Sequence, residues 1–389
     1  NRGGQSRNKS FYPPGGNGRQ EIDVRVEDKS SKNFNVEGFI SGRATDDRYI
    51  DQDQFSLEGL YLNIEEKEKR YGLNLGDFYS YFSNYTLSQS LKGVKGFYKT
   101  QNALGDFNVT SLFGTNKSRW NAFWRGLDGE TYTRYIGGAR LEQLLYDKNV
   151  KLGLNFVDNR DDRGGTSTTA NPITNDVVSS DLELKLDRFF MKAEVAEAFT
   201  DLNTSPNTSV KTKSDEAYKV DTSLKLSKLE YLKSTLYSGY ERAGQNFSSL
   251  SGILKTDREE FYTRLNCDTY DYLSWYMGLV RSRNNLKDGL VRTTKYTAEE
   301  FGFDLRPLPT KREFEIALDL GRRLRASSDT TIKEQSDTAH LALRDKYGPL
   351  SLWGGWQVSK HDDENTLTNG RFSHVFDLGS RLNLDYRNF

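Results

Sequence analysis

The side chains that could carry out chemistry in this chain are few and badly placed for it. His340, His361 and His374 are dispersed, and none has the spacing of a zinc ligand set. Cys267 is the sole cysteine, which excludes a disulfide framework, a thiolate cluster and a covalent haem motif. Ser373 and His374 are the one adjacent Ser/His pair, and they fall in a strand pattern. No nucleophile elbow, phosphate loop or dinucleotide fingerprint is present. Two acid-rich stretches, Asp158, Asp161 and Asp162, and Asp362, Asp363 and Glu364, lack the spacing of a calcium loop and read as solvated loop charge. The sequence therefore assigns no catalytic residue, no metal site and no cofactor.

Charge is abundant, and its pattern is more informative. The 389 residues include 55 Lys and Arg against 55 Asp and Glu, so the net charge is zero. That balance argues against a nucleic-acid partner, which calls for a basic excess. Many of the charges alternate with apolar residues. The cations in such positions are Lys151, Lys185, Lys192, Lys219, Lys225, Arg264, Arg306 and Arg381. The acids are Glu183, Asp187, Glu194, Asp221, Glu260, Asp304, Glu315, Asp319 and Asp385. A ring of one sign would select counter-ions. A mixed set predicts either a weakly selective aqueous lining or a wall facing a charged polypeptide, with many of the charges pairing laterally between strands.

The elements that must hold these charges are strands. Apolar residues recur with a period of two in Val150, Leu152, Leu154, Phe156; in Leu273, Trp275, Met277, Leu279; and in Phe314, Ile316, Leu318, Leu320. Counting from residue 33 predicts about 18 strands (range 16–20). They lie near 33–43, 53–64, 69–79, 92–100, 104–114, 132–142, 149–158, 180–187, 188–199, 216–227, 231–241, 258–268, 271–281, 293–306, 312–323, 336–346, 349–360 and 370–386. Their connections alternate between short turns and long stretches rich in Asn, Asp, Ser, Thr and Gly. This describes an all-β, antiparallel up-and-down meander with one plain rim and one decorated rim.

Composition fits a sheet with one wet face. Hydrophobic residues make up 35% and aromatic residues 13%, and mean hydropathy is −0.77. Counted with glycine and without tyrosine, the apolar share is about 38%, against about 45–50% for soluble domains. No run of about 18 apolar residues predicts a transmembrane helix. Strands of about 9–11 residues suffice to cross a bilayer when tilted, provided that every backbone amide is paired. Tyr61, Tyr71, Tyr79, Tyr81, Tyr98, Tyr135, Tyr237, Tyr296, Trp353 and Trp356 lie near strand ends, as interfacial aromatic girdles would. A propeller would instead show a repeat in each blade, and the only recurrence is Leu75-Gly76-Asp77-Phe78 as Leu104-Gly105-Asp106-Phe107.

Over residues 33–389 this pattern resembles a Gram-negative outer-membrane β-barrel of porin type. The resemblance is architectural and rests on no motif. It implies a closed transmembrane barrel in the bacterial outer membrane that meets lipid and lipopolysaccharide and passes small hydrophilic solutes through a charge-lined lumen. It equally allows a conduit barrel that sheaths a periplasmic or lumenal protein partner, such as a cytochrome or a secreted chain. One departure is Phe389, which is aromatic but out of phase with Leu382, Leu384 and Tyr386.

Residues 1–32 read as an N-terminal extension, periplasmic or folded into the lumen. Gly3-Gly4, Pro13-Pro14 and Gly15-Gly16 mark coil, and Ile22, Val24 and Val26 alternate like a short strand. The chain starts with neither Met nor a signal pattern, as expected where a targeting segment has been removed.

Overall fold

The computed structural model describes residues 19–45, 55–117, 120–121, 123, 133–162, 171–204, 212–229, 231–253, 256–270, 272–287, 292–307, 314–329, 332–347, 350–363 and 371–382. Nineteen strands make up its regular elements: β1 (Arg19–Asp28), β2 (Phe34–Thr45), β3 (Phe55–Glu66), β4 (Tyr71–Ser83), β5 (Leu87–Asn102), β6 (Gly105–Thr115), β7 (Arg134–Leu145), β8 (Val150–Asp161), β9 (Thr174–Lys185), β10 (Phe189–Asp201), β11 (Lys213–Leu229), β12 (Leu232–Ala243), β13 (Arg258–Thr269), β14 (Leu273–Asn284), β15 (Thr294–Leu305), β16 (Glu315–Ser327), β17 (Lys333–Tyr347), β18 (Leu350–Asp363) and β19 (Arg371–Leu382). Among the described residues no helix is long and apolar enough to cross a membrane.

Chain neighbours are sheet neighbours. Strands β1 to β8 pair antiparallel in succession, and so do β11 to β19. Short turns alternate with long connections: residues 146–149 join β7 to β8, while 162–173 join β8 to β9. In that short turn Tyr146, Asp147 and Lys148 all take positive φ, which reverses the chain within a few residues. The count differs from 18 because residues 19–28 form a full strand, longer than the alternation of Ile22, Val24 and Val26 shows. β1 pairs with β2 from Arg19–Thr45 to Asp28–Val36, and it leaves Ile22, Val24 and Val26 exposed. It ends where Ser30 donates its amide and hydroxyl to the Asp28 carboxylate at 2.8 and 2.7 Å. The hydroxyl and then the amide hold that carboxyl below its usual range.

The chain forms two compact units. The first comprises Asn1–Asp181, Ala196–Ser214 and Ser248–Leu254; the second comprises Leu182–Val195, Asp215–Phe247 and Lys255–Phe389.

In the second unit, residues opposite one another in the register share a face, so each row can be followed across the strands. One row runs Leu236, Leu265, Met277, Phe301, Leu320, Ala339, Val358. Its neighbour runs Ser234, Cys267, Trp275, Phe303, Leu318, Leu341, Trp356, Phe376. This apolar face leaves Met277, Phe301, Leu320 and Trp356 well exposed, so no described residue covers them.

In the first unit, β4 pairs with β3 over only five residue pairs, Tyr61–Gly76 to Glu65–Gly72, before it leaves. The departure occurs at Gly76, whose φ of 97° disfavours side chains and whose Cα sits so close to the Leu60 carbonyl that a Cβ would lie 2.1 Å from it. Leaving a strand edge unpaired strands its backbone amides. Here side chains take their place. The Leu60 amide donates to Asp77 Oδ2 at 2.7 Å and the Leu57 amide to Asn121 Oδ1 at 3.0 Å, while Asn121 Nδ2 donates to the Phe55 carbonyl at 2.8 Å. Trp120 Nε1 donates to Asp77 Oδ2 at 2.8 Å, and Lys92 pairs with the other carboxylate oxygen.

A charged face and an inserted hairpin as the candidate functional site

The side opposite the apolar face of the second unit is polar. One row runs Lys233, Asp268, Ser274, Asp304, Ala317, Ala342, Gly355, Asp377, and the next runs Thr235, Asn266, Tyr276, Gly302, Asp319, His340, Gln357. Register puts Lys219, Asp221, Glu260, Arg264, Asp304, Glu315, Asp319 and Arg381 on this side. At its short-turn end, Lys233, Asp268, Ser274, Asp304 and Arg306 line a hollow of about 280 Å³.

Most of these charges engage neighbours. Glu315 accepts from Arg344 Nη1 at 2.8 Å and from Arg306 Nη2 at 3.4 Å. Lys219 lies 3.5 Å from Asp221, whose carboxylate also accepts the Tyr262 hydroxyl at 2.8 Å. The Arg264 guanidinium lies 4.0 Å from the centre of the Tyr276 ring, and that tyrosine donates to Asp319 at 2.7 Å. His340 Nδ1 stands 3.6 Å from the same Asp319. Geometry of this kind anchors side chains laterally while leaving their outer edges in water.

Glu183 binds Lys185 at 2.6 Å and Lys192 at 3.5 Å, tying β9 to β10 within the second unit. Glu194 is buried, and Arg381 is exposed. Asp187, expected inside a strand, sits in the β9–β10 turn, because β9 ends two residues earlier at Lys185. Asp385 lies outside the described residues.

Ser373 and His374 stand on opposite faces. Ser373 pairs in register with Ser359, its hydroxyl 2.6 Å away, whereas His374 pairs with Val358 and stacks on Trp356 with ring centres 6.3 Å apart. Adjacent strand residues point to opposite sides, so the two cannot form a dyad. Among the described residues no group of three potential metal ligands occurs.

Several aromatics read as girdle residues lie on the wrong side for one. Tyr237, Tyr296 and Trp353 share rows with polar residues, and Tyr61 lies on the side of β3 that carries Asn63 and Glu65 and donates to Glu37 at 2.7 Å. Tyr79 and Tyr81 stand exposed on a hairpin in which β4 and β5 extend through residues 80–91, where the pattern predicts a connection.

That hairpin belongs to the first unit. From Phe78–Leu91 to Ser83–Leu87, β4 and β5 pair only with each other. Its underside packs Phe78, Phe82, Leu87 and Leu91 against Leu112 of β6, Ile136 of β7 and Val157 of β8. Each such side chain contributes about 1.5–3 kcal/mol on burial. Gly138 admits the Phe82 ring, which would lie 2.9 Å from a Cβ at that position.

Arg140 secures the tip. Its Nη1 donates to the Phe82 carbonyl at 2.6 Å and to Asn155 Oδ1 at 2.6 Å, and the guanidinium holds Asp181 through Nη1 and Nη2 at 2.7 and 3.0 Å. Ser83 and Ser179 hydroxyls meet at 3.2 Å.

Residues 248–253, from the long β12–β13 connection, close over the same tip within the first unit. The Ser88 amide donates to the Ser251 carbonyl at 2.8 Å, the Ile253 amide to the Asn84 carbonyl at 2.8 Å, and Asn175 Nδ2 to the Ser248 carbonyl at 2.8 Å. Ser251 bonds Asn159, which is fully buried. The sequence carried one sign of this arrangement: the alternation of Leu73 and Leu75 lapses into Phe78, Tyr79, Tyr81, Phe82, an aromatic run with both faces apolar.

The chain is thus an all-β protein of antiparallel up-and-down strands, and its second unit has one apolar face and one charged face. No protein-family model and no curated protein matches its sequence. Among solved structures it is similar to the translocation pore of the P pilus usher, at 9% identity over 94% of this chain and 93% of that one, with a TM-score of 0.40. It is also similar to an anion-selective porin from Comamonas acidovorans, at 9% identity over 68% and 78% with a TM-score of 0.37. A third is OccK2 of Pseudomonas aeruginosa, at 10% identity over 95% and 97% with a TM-score of 0.34. These likenesses concern fold alone.

Proposed function

We propose that the chain is a porin-like channel of the bacterial outer membrane, through which small hydrophilic solutes pass by diffusion. The observation that supports this best is the separation of faces by register. Met277, Phe301 and Leu320 stand exposed on one side of a sheet whose other side carries Arg264, Asp304, Glu315 and Asp319. A sheet in lipid must close so that no edge amide is left unpaired, and its apolar face must turn outward. In this reading residues 33–389 form the closed transmembrane barrel, and 1–32 precede it as an extension. Lys185, Glu183, Lys192, Glu194, Lys219, Asp221, Arg264, Asp304, Arg306, Glu315, Asp319, Arg381 and Asp385 line the water-filled lumen. Their opposed signs give weak ion selectivity.

The inserted hairpin favours a channel over a sheath for a protein partner. It fills the inner side of β6, β7 and β8 with apolar contacts, where a lumenal protein would need clear space. No catalytic role is assigned to any residue.

Reconstitution of the full chain into planar bilayers tests the proposal. Steady single-channel steps with small differences between cation and anion permeability are expected. Partition into the aqueous phase without detergent, or bilayers that stay closed, would overturn it.

A further inference from the structure

We propose that the hollow at the short-turn end of the polar face binds a diamino dicarboxylate, a solute with an amino acid group at each end. The inference rests on the reading that this face lines a path for small hydrophilic solutes, and it names one class of them. The hollow belongs to the second unit and holds about 280 Å³. Register orders the side chains that line it. Lys233 of β12 is opposite Asp268 of β13, Asp268 is opposite Ser274 of β14, and Ser274 is opposite Asp304 of β15. Arg306 follows Asp304 by two residues, where its amide donates to the Tyr272 carbonyl at 2.7 Å. The order across the hollow is therefore cation, acid, hydroxyl, acid, cation.

These charges differ from others on the same face in being left open. Glu315, Asp319 and Asp221 each accept a hydrogen bond, from Arg344 at 2.8 Å, Tyr276 at 2.7 Å and Tyr262 at 2.8 Å. Lys233, Asp268 and Asp304 are exposed and make no side-chain hydrogen bond and no ion pair among the described residues. Arg306 reaches Glu315 at 3.4 Å, a long bond that leaves most of its five donors open. The hollow also has an apolar wall. Tyr270 and Tyr272 stack with ring centres 5.3 Å apart, and Leu273 adjoins them.

A ligand that completes this pattern carries the opposite order: carboxylate, ammonium, ammonium, carboxylate. Charge-assisted hydrogen bonds then form at both ends, and each open side chain gains a partner. A simple α-amino acid satisfies one end and leaves the other open. Asp268 and Asp304 stand two strands apart, about 10 Å. The two ends of the ligand must therefore be joined by several methylenes, which rest on the Tyr270 and Tyr272 rings.

The test is isothermal titration calorimetry of the full chain in neutral detergent, with 2,6-diaminopimelate as the probe. Wild type should bind it, and D268N/D304N should bind about tenfold more weakly, which is about 0.7 kcal/mol for each exposed carboxylate removed. D377N, in the same row but four strands beyond Asp304, should bind like wild type. Pimelate lacks the ammonium groups and cadaverine lacks the carboxylates, so each should bind more weakly than diaminopimelate. Equal affinity for either analogue, no binding by wild type, or equal binding by wild type and D268N/D304N would overturn the inference. Planar-bilayer conductance keeps the two readings apart. A chain that conducts but binds no diaminopimelate sinks this site alone, whereas one that binds it and leaves bilayers closed sinks the channel and keeps the site.

Discussion

Arg140 donates through Nη1 to the carbonyl oxygen of Phe82 at 2.6 Å, at the register shift between Tyr81 and Ser83 where β4 has left β3 and has only β5 beside it. The bond gives that carbonyl a charged donor beside the shift in register. The same guanidinium pairs with Asp181 and Glu142, and Lys151 beside Glu142 supplies the second positive charge, so Arg140 fastens the hairpin to the sheet within a balanced cluster.

Replacing it should therefore do more than remove a contact. Arg140→Met leaves Asp181 without its cation and the Phe82 carbonyl without this donor, while Glu142 keeps Lys151 at 3.3 Å, and breaking a buried pair in this way costs about 3–5 kcal/mol. The urea midpoint should fall, and limited proteolysis should begin to cut within residues 77–92. A variant with wild-type protection in that segment would show that Arg140 does not hold the hairpin.

Gly76 is where β4 turns away, and only glycine suits it. Gly76→Ala should lose at least about 1–2 kcal/mol from the left-handed backbone conformation, before the clash with the Leu60 carbonyl is counted. Gly96→Ala is the control, since its Cβ would meet nothing nearer than 3.9 Å. Comparison of the two urea midpoints decides the point, and equal losses would contradict it.

If the hairpin is a fixed constriction, locking it should change nothing. The Ser83 and Ser179 hydroxyls are 3.2 Å apart, close enough for a cysteine pair to bridge. In a Cys267→Ser background, S83C/S179C should oxidise readily and conduct equally before and after reduction. A rise in conductance on reduction would instead mark the hairpin as movable.

Ion selectivity should follow Glu315. Its carboxylate offsets Arg306 and Arg344, so Glu315→Gln leaves two cations uncompensated on the polar face. The reversal potential in a KCl gradient should shift toward chloride. Asp337→Asn, on the apolar face, should shift it less. Indistinguishable shifts would mean that the polar face does not line the path.

The strands themselves were legible because a half-wet sheet writes its period into every segment. Leu273, Trp275, Met277 and Leu279 are one face of β14, and Ser274, Tyr276 and Gly278 are the other. The same period assigned Arg264, Glu315 and Asp319 to a common side, where register places them. It also dooms Ser373 and His374 as a dyad, since neighbours in a strand face apart. Nearness to a strand end does not fix which side a ring takes, and Tyr61 and Trp353 take the polar one.

What alternation determines is local: which residues are strands and which side chains go together. Tertiary structure alone decided where a strand stops following its neighbour. Asp77, Asn121 and Trp120 replace β4 along the edge of β3, and Arg140, Asn155 and Asp181 receive the hairpin that results. These partners lie 17 to 64 residues apart in the chain, as Leu60–Asp77 and Leu57–Asn121 illustrate. A period of two cannot encode them, because satisfying a stranded amide depends on what folding brings within about 3 Å of it and not on the residue that comes next.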